Sequence, residues 1–224
     1  MRKRIRELTV KYWFFDLDGT LADTDRDIRD AWKDALSDLG LSCPDFETRF
    51  VAGPPIDEMA KALFPDIFTQ QLADSIRTAF ARRYDSCGFS RTREYPGALD
   101  AVRRLKARGD YAAIVTNKRY VGATAMARRF GWDDVFDGIY AGDMYVAQGV
   151  PEAVKLRKGA LLARLIGELA APKASCTIIG DTRSDFEAAR ECGIGSIGVA
   201  WGYGKPDELS MADAVVNDAS EIGA

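Results

Sequence analysis

Residues 14–23 read Phe14-Phe15-Asp16-Leu17-Asp18-Gly19-Thr20-Leu21-Ala22-Asp23. The apolar and aromatic run that leads into them (Val10, Tyr12, Trp13) continues through Phe14 and Phe15 and stops at two carboxylates spaced i, i+2. Gly19 then turns the chain and Thr20 offers a hydroxyl. A short apolar run bounded by a turn signal reads as a buried strand, and open α/β sheets bind ligands beyond the carboxyl ends of their strands. With a side-chain period of two, Asp16 and Asp18 can project toward one space. Two carboxylates that close resist joint ionisation unless a cation joins them or one is protonated. A divalent metal and an acid/base role would meet those conditions. On these ten residues alone the plainer alternative, a surface Asp-Gly turn beside a helix cap, stays open.

Beyond Asp23 the period becomes helical. Ile28, Trp32, Ala35, Leu36 and Leu39 share a face and Gly40 terminates it. Further helical stretches are broken at Pro44, Gly53-Pro54-Pro55 and Pro65, with no strand expected before Tyr95. The chain then alternates. A helix opens at Pro96-Gly97, and a strand at Tyr111–Val115 ends in Thr116-Asn117-Lys118. After another helix, a short strand is expected within Val135–Tyr140, and a helix carries Leu161, Leu162, Leu165 and Leu169. A strand at Ser175–Ile179 ends in Gly180-Asp181, followed by a helix from Ser184 to Cys192 capped by Gly193. Ser196–Ala200 and Ala214–Val216 are the last strand candidates. The expected fold is therefore α/β: a Rossmann-like, mostly parallel sheet with helices on both faces. An α-helical cap is inserted at residues 23–92, between the two parts of the core, 1–22 and 93–224.

Composition narrows the function. Lys plus Arg number 31 against 34 Asp plus Glu, and a net charge of −3 argues against a nucleic-acid binder. No apolar stretch approaches the roughly twenty residues of a membrane span. The basic Met1–Arg6 segment reads as a solvated leader, since Glu7 and Lys11 interrupt any signal-peptide core. Four scattered cysteines (Cys43, Cys87, Cys176, Cys192) lack metal-ligand spacing and fit reduced thiols in a cytoplasmic protein. The chain has no histidine, which removes the usual general base and imidazole-bound zinc. Acid/base work falls to carboxylates, lysine, tyrosine or cysteine.

The strand ends gather what chemistry remains. Asp181 repeats the strand-then-Asp arrangement of Asp16, and Asp185 follows near a helix start, where a carboxylate is also favoured by the dipole alone. A few carboxylates with water and phosphate suit magnesium. Thr116, with adjacent backbone N–H groups, suits a phosphoryl oxygen, and either Lys155 or Lys158 could neutralise phosphate. The run Gly193-Ile194-Gly195-Ser196-Ile197-Gly198 matches a dinucleotide fingerprint, but its helix precedes and its strand follows, the reverse of the required order.

In this order these segments resemble the haloacid dehalogenase-like hydrolase superfamily, in its phosphoglycolate phosphatase-like branch with a helical cap. The resemblance runs from Phe14–Asp23 through Tyr95-Pro96-Gly97, Val115–Lys118, Lys158 and Ile179–Asp185 to Ser196–Val199. It implies Asp16 as nucleophile, Asp18 as general acid and then base, and Thr116, Asn117 and Lys158 on the phosphoryl oxygens. It also implies Mg2+ held by Asp16, the Asp18 main-chain carbonyl and Asp181, with Asp185 close by or acting through water. Lys158 is followed by Gly159 where many relatives have proline; it is preferred to Lys155 for its distance to the Leu161-Leu162 pair. The loop at Gly53, with Arg49 just before it, resembles the substrate-facing loop of related caps. The implied function is hydrolysis of a small phosphorylated metabolite through an aspartyl-phosphate, by a monomer or homodimer. The alternatives are a sugar phosphomutase of the same fold and a non-catalytic regulatory or binding member.

Overall fold

The computed structural model describes residues 10–224; the basic leader read at Met1–Arg6 lies outside them. β1 (Tyr12–Phe15) is the central strand, and its alternation sets up the two layers around it. Trp13 and Phe15 face one apolar cluster and Phe14 the other, as a period of two requires. From β1 the chain passes through a two-residue strand, β2 (Ala22–Asp23), into four helices: α1 (Asp25–Asp38), α2 (Phe46–Arg49), α3 (Ile56–Leu63) and α4 (Gln70–Tyr84). It returns through β3 (Arg93–Glu94), which pairs antiparallel with β2.

This two-stranded ribbon was not expected from the sequence. Two-residue strands carry no periodicity, and this one is held from outside. The buried Asp27 carboxylate, in the first turn of α1, accepts the Thr92 N–H at 2.7 Å and the Thr92 hydroxyl at 2.6 Å. The four helices have an apolar cluster of their own around Trp32, Leu36, Phe50, Met59 and Ile76. Leu39, expected on the buried face of α1, stays 38% exposed, because α1 ends at Asp38 and the chain turns outward there.

The remainder alternates as expected: α5 (Ala98–Ala107), β4 (Tyr111–Thr116), α6 (Tyr120–Phe130), β5 (Gly138–Ala141), α7 (Met144–Ala147) and α8 (Lys158–Glu168). Then follow β6 (Cys176–Gly180), α9 (Arg183–Cys192), β7 (Gly195–Val199), α10 (Pro206–Leu209) and β8 (Ala214–Val216). Among the described residues the main sheet has six strands in the order β5-β4-β1-β6-β7-β8, every pair parallel. α5 and α6 cover the Phe15 face, and α8 and α9 cover the Phe14 face. The strand expected within Val135–Tyr140 begins three residues later, at Gly138. Val135 and Phe136 instead turn back on Trp132, donating their N–H groups to its carbonyl, and Phe136 packs edge-on against Phe15. Gly193, at φ +68°, ends α9 in the left-handed conformation and belongs to a helix C-cap. Among the described residues the four cysteines form no disulfide, and no helix is long and apolar enough to cross a membrane.

Candidate active site

The sheet's carboxyl edge assembles the site. β1 lies between β4 and β6 with Phe15 opposite both Ile114 and Ile179. Asp16 follows directly and donates its backbone N–H to the Ile179 carbonyl at 2.8 Å. Thr116 closes β4 and Asp181 follows β6, so all three groups leave the sheet at the same edge. The chain path around them is tight. Gly19 has φ +80°, and a Cβ there would lie 2.1 Å from Asp181 Oδ2. Thr20 donates its hydroxyl to Asp181 Oδ1 at 3.1 Å and the Tyr203 N–H reaches Oδ2 at 2.7 Å. The turn after β1 therefore shapes the groove in which Asp181 sits.

Asp185, in the first turn of α9, is fully buried. Its Oδ2 accepts the Thr182 hydroxyl at 3.0 Å and the Thr182 N–H at 3.2 Å, and its Oδ1 receives Lys158 Nζ at 2.6 Å. Lys158, the first residue of α8, is 4% exposed and also places Nζ 2.9 Å from Asp16 Oδ1. At Gly159 a Cβ would meet only the movable tip of the Glu191 side chain and lie 3.6 Å from Ala188 Cα, so α8 starts close against α9. Lys155 is exposed, and Lys158 is the lysine in the acidic pit.

Carboxylate oxygens of Asp16, Asp181 and Asp185 all lie within 4.8 Å of one another, and all three residues are buried. Burial pushes the Asp16 carboxyl up to about 7; the Lys158 ammonium opposes the shift and the neighbouring carboxylates of Asp185 and Asp18 add to it. Burial pushes Asp181 up to about 8, with Asp16 and Asp185 adding repulsion. Burial by itself would lower the Lys158 ammonium, but Asp16 and Asp185 outweigh it and hold it above its ordinary value. One lysine, paired with Asp16 and Asp185, thus serves a cluster of three carboxylates. Asp16 Oδ1 lies near Nζ but off its hydrogen-bonding direction, so this buried oxygen has no donor. An oxygen-only ligand set with excess negative charge and an orphaned acceptor fits a hard divalent cation.

Other expected residues are placed differently. The Asp18 carboxylate lies outside the three-carboxylate cluster and turns to Lys118, whose Nζ is 2.9 Å from its Oδ1. Thr116 is buried, with its hydroxyl accepting the Lys118 N–H at 3.1 Å. Asn117 is exposed and donates its side-chain amide to the Ser184 hydroxyl at 2.8 Å. Gly53, at φ +113°, brings its loop over Thr182: a Cβ there would lie 3.7 Å from the threonine methyl. Arg49 does not come with it. Its guanidinium is held by Asp45 and the Ala62 carbonyl. Arg77, Arg82 and Arg83 are likewise ion-paired with Asp57, Asp74 and Asp38 among the same helices.

Three residues the sequence did not single out join the site. Lys118, 8% exposed, also donates to Tyr84 at the end of α4. Tyr203 links Asp181 to the ribbon, its hydroxyl donating to Asp23 Oδ1 at 3.1 Å and accepting the Thr24 N–H at 2.6 Å. A lysine two residues past a strand end, facing an acidic edge, was a usable signal for Lys118. Nothing local marks Tyr84 or Tyr203, which arrive through tertiary packing.

Comparison with known proteins accords with this geometry. A family model described as haloacid dehalogenase-like hydrolase matches residues 13–199. A probable phosphatase, IndB, of Dickeya dadantii is 31% identical over 93% of this chain and 90% of its own length. A phosphoglycolate phosphatase of Thiobacillus denitrificans is 29% identical over 96% of this chain and 94% of its own. Among solved structures, a haloacid dehalogenase-like family hydrolase from Streptococcus pneumoniae superposes with a TM-score of 0.80 at 27% identity, covering 96% of this chain and 97% of that one.

Proposed function

The chain belongs to the haloacid dehalogenase-like hydrolase family, and from that premise we propose that it is a magnesium-dependent phosphatase. Its substrate is a small phosphorylated metabolite, cleaved through an aspartyl-phosphate on Asp16. The observation that carries the proposal is the buried triad Asp16, Asp181 and Asp185 with Lys158 paired to two of its members, Asp16 and Asp185. Asp16, the Asp18 main-chain carbonyl, Asp181 and Asp185 are the groups that would hold the metal. When bound, magnesium supplies the positive charge that lets an anionic carboxylate approach an anionic phosphoryl group.

The protein's own groups do the rest. Asp16 attacks phosphorus, and the bond from phosphorus to the ester oxygen breaks as the new one forms. Asp18 gives the departing oxygen its proton and then takes one from the water that releases inorganic phosphate and restores the Asp16 carboxylate. Lys158, already at 2.9 Å from Asp16, neutralises phosphoryl oxygens, and Thr116 and the Asn117 segment present hydrogen-bond donors to them. Residues 23–92 act as a cap on the core formed by 1–22 and 93–224. The cap touches the core at the Gly53 loop, at Tyr203 and at Lys118, and its closure excludes bulk water from the pit. The four free thiols suit a cytoplasmic enzyme.

The test is phosphate release from phosphoglycolate, sugar phosphates, nucleoside monophosphates and pyridoxal phosphate, with magnesium and with chelator. Release that needs magnesium and is abolished in Asp16→Asn supports the proposal. Isomerised sugar phosphate without net release indicates a mutase instead, and silence across the panel from folded protein indicates a binding protein.

A further inference from the structure

The acidic pit has its own cation in Lys158, so a second buried lysine nearby calls for a separate account. Lys118 has a side chain only 3% exposed, and its contacts are Asp18 at 2.9 and 3.3 Å and the Tyr84 hydroxyl. A buried ammonium is tolerated only when paired, and here every paired group is specific. Asp18 comes from the turn after β1, Lys118 from the end of β4, and Tyr84 from the last turn of α4 in the helical layer. The Tyr84 ring centre lies 4.1 Å from Lys118 Nζ and that of Phe89 5.6 Å away. The next residues on both sides, Arg119 and Asp85, make a second ion pair across the same seam at 2.6 Å.

We infer that Lys118 is a positioning residue that aims the Asp18 carboxyl at the departing oxygen, and that Tyr84 completes its grip only when the cap lies on the core. Closing the cap and aiming the acid are then one event. The inference rests on the phosphatase reading above, since it assigns Asp18 a leaving group to protonate. In that step the electron pair of the broken phosphorus–oxygen bond stays on the ester oxygen, which takes the Asp18 proton. Lys118 exchanges no proton; its N–H groups on both Asp18 oxygens fix the direction of the carboxyl that does, while another is held by Tyr84. With the cap lifted away, Lys118 loses the Tyr84 hydroxyl and both flanking rings, and Asp18 is held by a looser side chain in water. Premature attack by water on a poorly covered site is disfavoured for the same reason.

The experiment compares two esters that differ in their need for an acid. The nitrophenolate of 4-nitrophenyl phosphate leaves without a proton, whereas the alkoxide of glycerol phosphate requires one. Turnover of both is measured with magnesium in the wild type, Lys118→Met, Lys118→Arg and Tyr84→Phe. In Lys118→Met the ratio of alkyl to aryl turnover should fall by about 30-fold, less than the roughly 10²–10⁴-fold of losing the general acid outright because Asp18 itself remains. Tyr84→Phe should lower it by roughly 3- to 10-fold, and Lys118→Arg should recover most of the loss. A fall of equal factor on both esters, or an unchanged ratio, means that Lys118 is structural only and overturns the inference while leaving the phosphatase reading intact. Wild-type protein that releases phosphate from neither ester, nor from any member of the phosphomonoester panel above, overturns both. Should Lys118→Met fail to fold, Tyr84→Phe, which removes a single oxygen, reads the same ratio.

Discussion

Replacing Gly19 by alanine separates the role of this turn in building the pit from its role as a turn. The added Cβ would sit 2.1 Å from Asp181 Oδ2, 2.7 Å from its Cγ and 2.9 Å from Tyr203 Cδ2. Ordinary contact requires the carboxylate to retreat by more than about 1 Å, which breaks its bonds from the Thr20 hydroxyl and the Tyr203 N–H. With magnesium bound and Asp181 ionised, hydrogen bonds to its carboxylate contribute about 1.5–3 kcal/mol each, and the left-handed backbone adds about 1–2 kcal/mol for a residue with a Cβ. A net loss of about 4 kcal/mol is expected after partial relaxation, or a melting temperature lower by roughly 8–16 °C in a chain of this size. A 1 Å displacement at a reacting centre costs about 100-fold in rate. Gly109 is the control: its φ is +85°, yet a Cβ there meets nothing within 4 Å. Gly109→Ala should lose only the ~1–2 kcal/mol of backbone strain and keep its activity. Thermal melts and phosphate release on both variants decide the matter. Gly19→Ala melting with Gly109→Ala and turning over normally would refute the claim that the Gly19 turn shapes the Asp181 groove.

Removing Lys158 leaves three buried carboxylates with no cation, so Lys158→Met should lower phosphate release by about 10²–10³-fold; a variant keeping more than about a tenth of wild-type rate would contradict its placement. Asp27→Ala strips the Thr92 N–H and hydroxyl of their buried acceptor. It should cost about 3 kcal/mol, seen as a melting temperature lower by roughly 6–12 °C; an unchanged melt would show that the ribbon does not need this carboxylate. The raised carboxyls of Asp16, at about 7, and Asp181, at about 8, give a pH signature. Between the unfolded value near 4 and these folded values the native state binds more protons than the unfolded chain, so stability falls as pH rises. In chelator the melting temperature should therefore drop between pH 5 and pH 8. Magnesium should raise it more at pH 8 than at pH 5, because binding no longer has to displace protons. An apo protein whose melting temperature rises over that interval would contradict the crowded, desolvated pit.

Much of this architecture is legible in the sequence because buried parallel strands are written as apolar runs. Phe14-Phe15 before Asp16 and Ile178-Ile179 before Asp181 each mark a strand and the carboxylate at its end at once. The two-residue ribbon strands are too short to carry a period, and their position depends on Asp27, whose burial no local pattern marks. Val135 and Phe136 have strand-forming side chains, yet the packing of Phe136 on Phe15 makes them a turn. At the site, Asp16, Asp181, Asp185 and Lys158 converge because sheet order brings their strand and helix ends together. Lys118, Tyr84 and Tyr203 escape notice for the opposite reason: each acts across the seam between sheet and helical layer, and no local spacing encodes that contact. Arg49 shows how pairing, too, is invisible in the sequence. A cation beside the cap loop looks available for substrate until Asp45 and the Ala62 carbonyl are seen to hold it.

The most direct measurement is of the phosphoryl group on the enzyme itself. Acid quench during steady-state turnover with magnesium, followed by peptide mapping, should find an acid-stable, base-labile phosphoryl group on Asp16, absent in chelator and in Asp16→Asn. Turnover that proceeds with no phosphorylated peptide under conditions that preserve acyl phosphates, or with the label on another residue, would contradict nucleophilic attack from the end of β1.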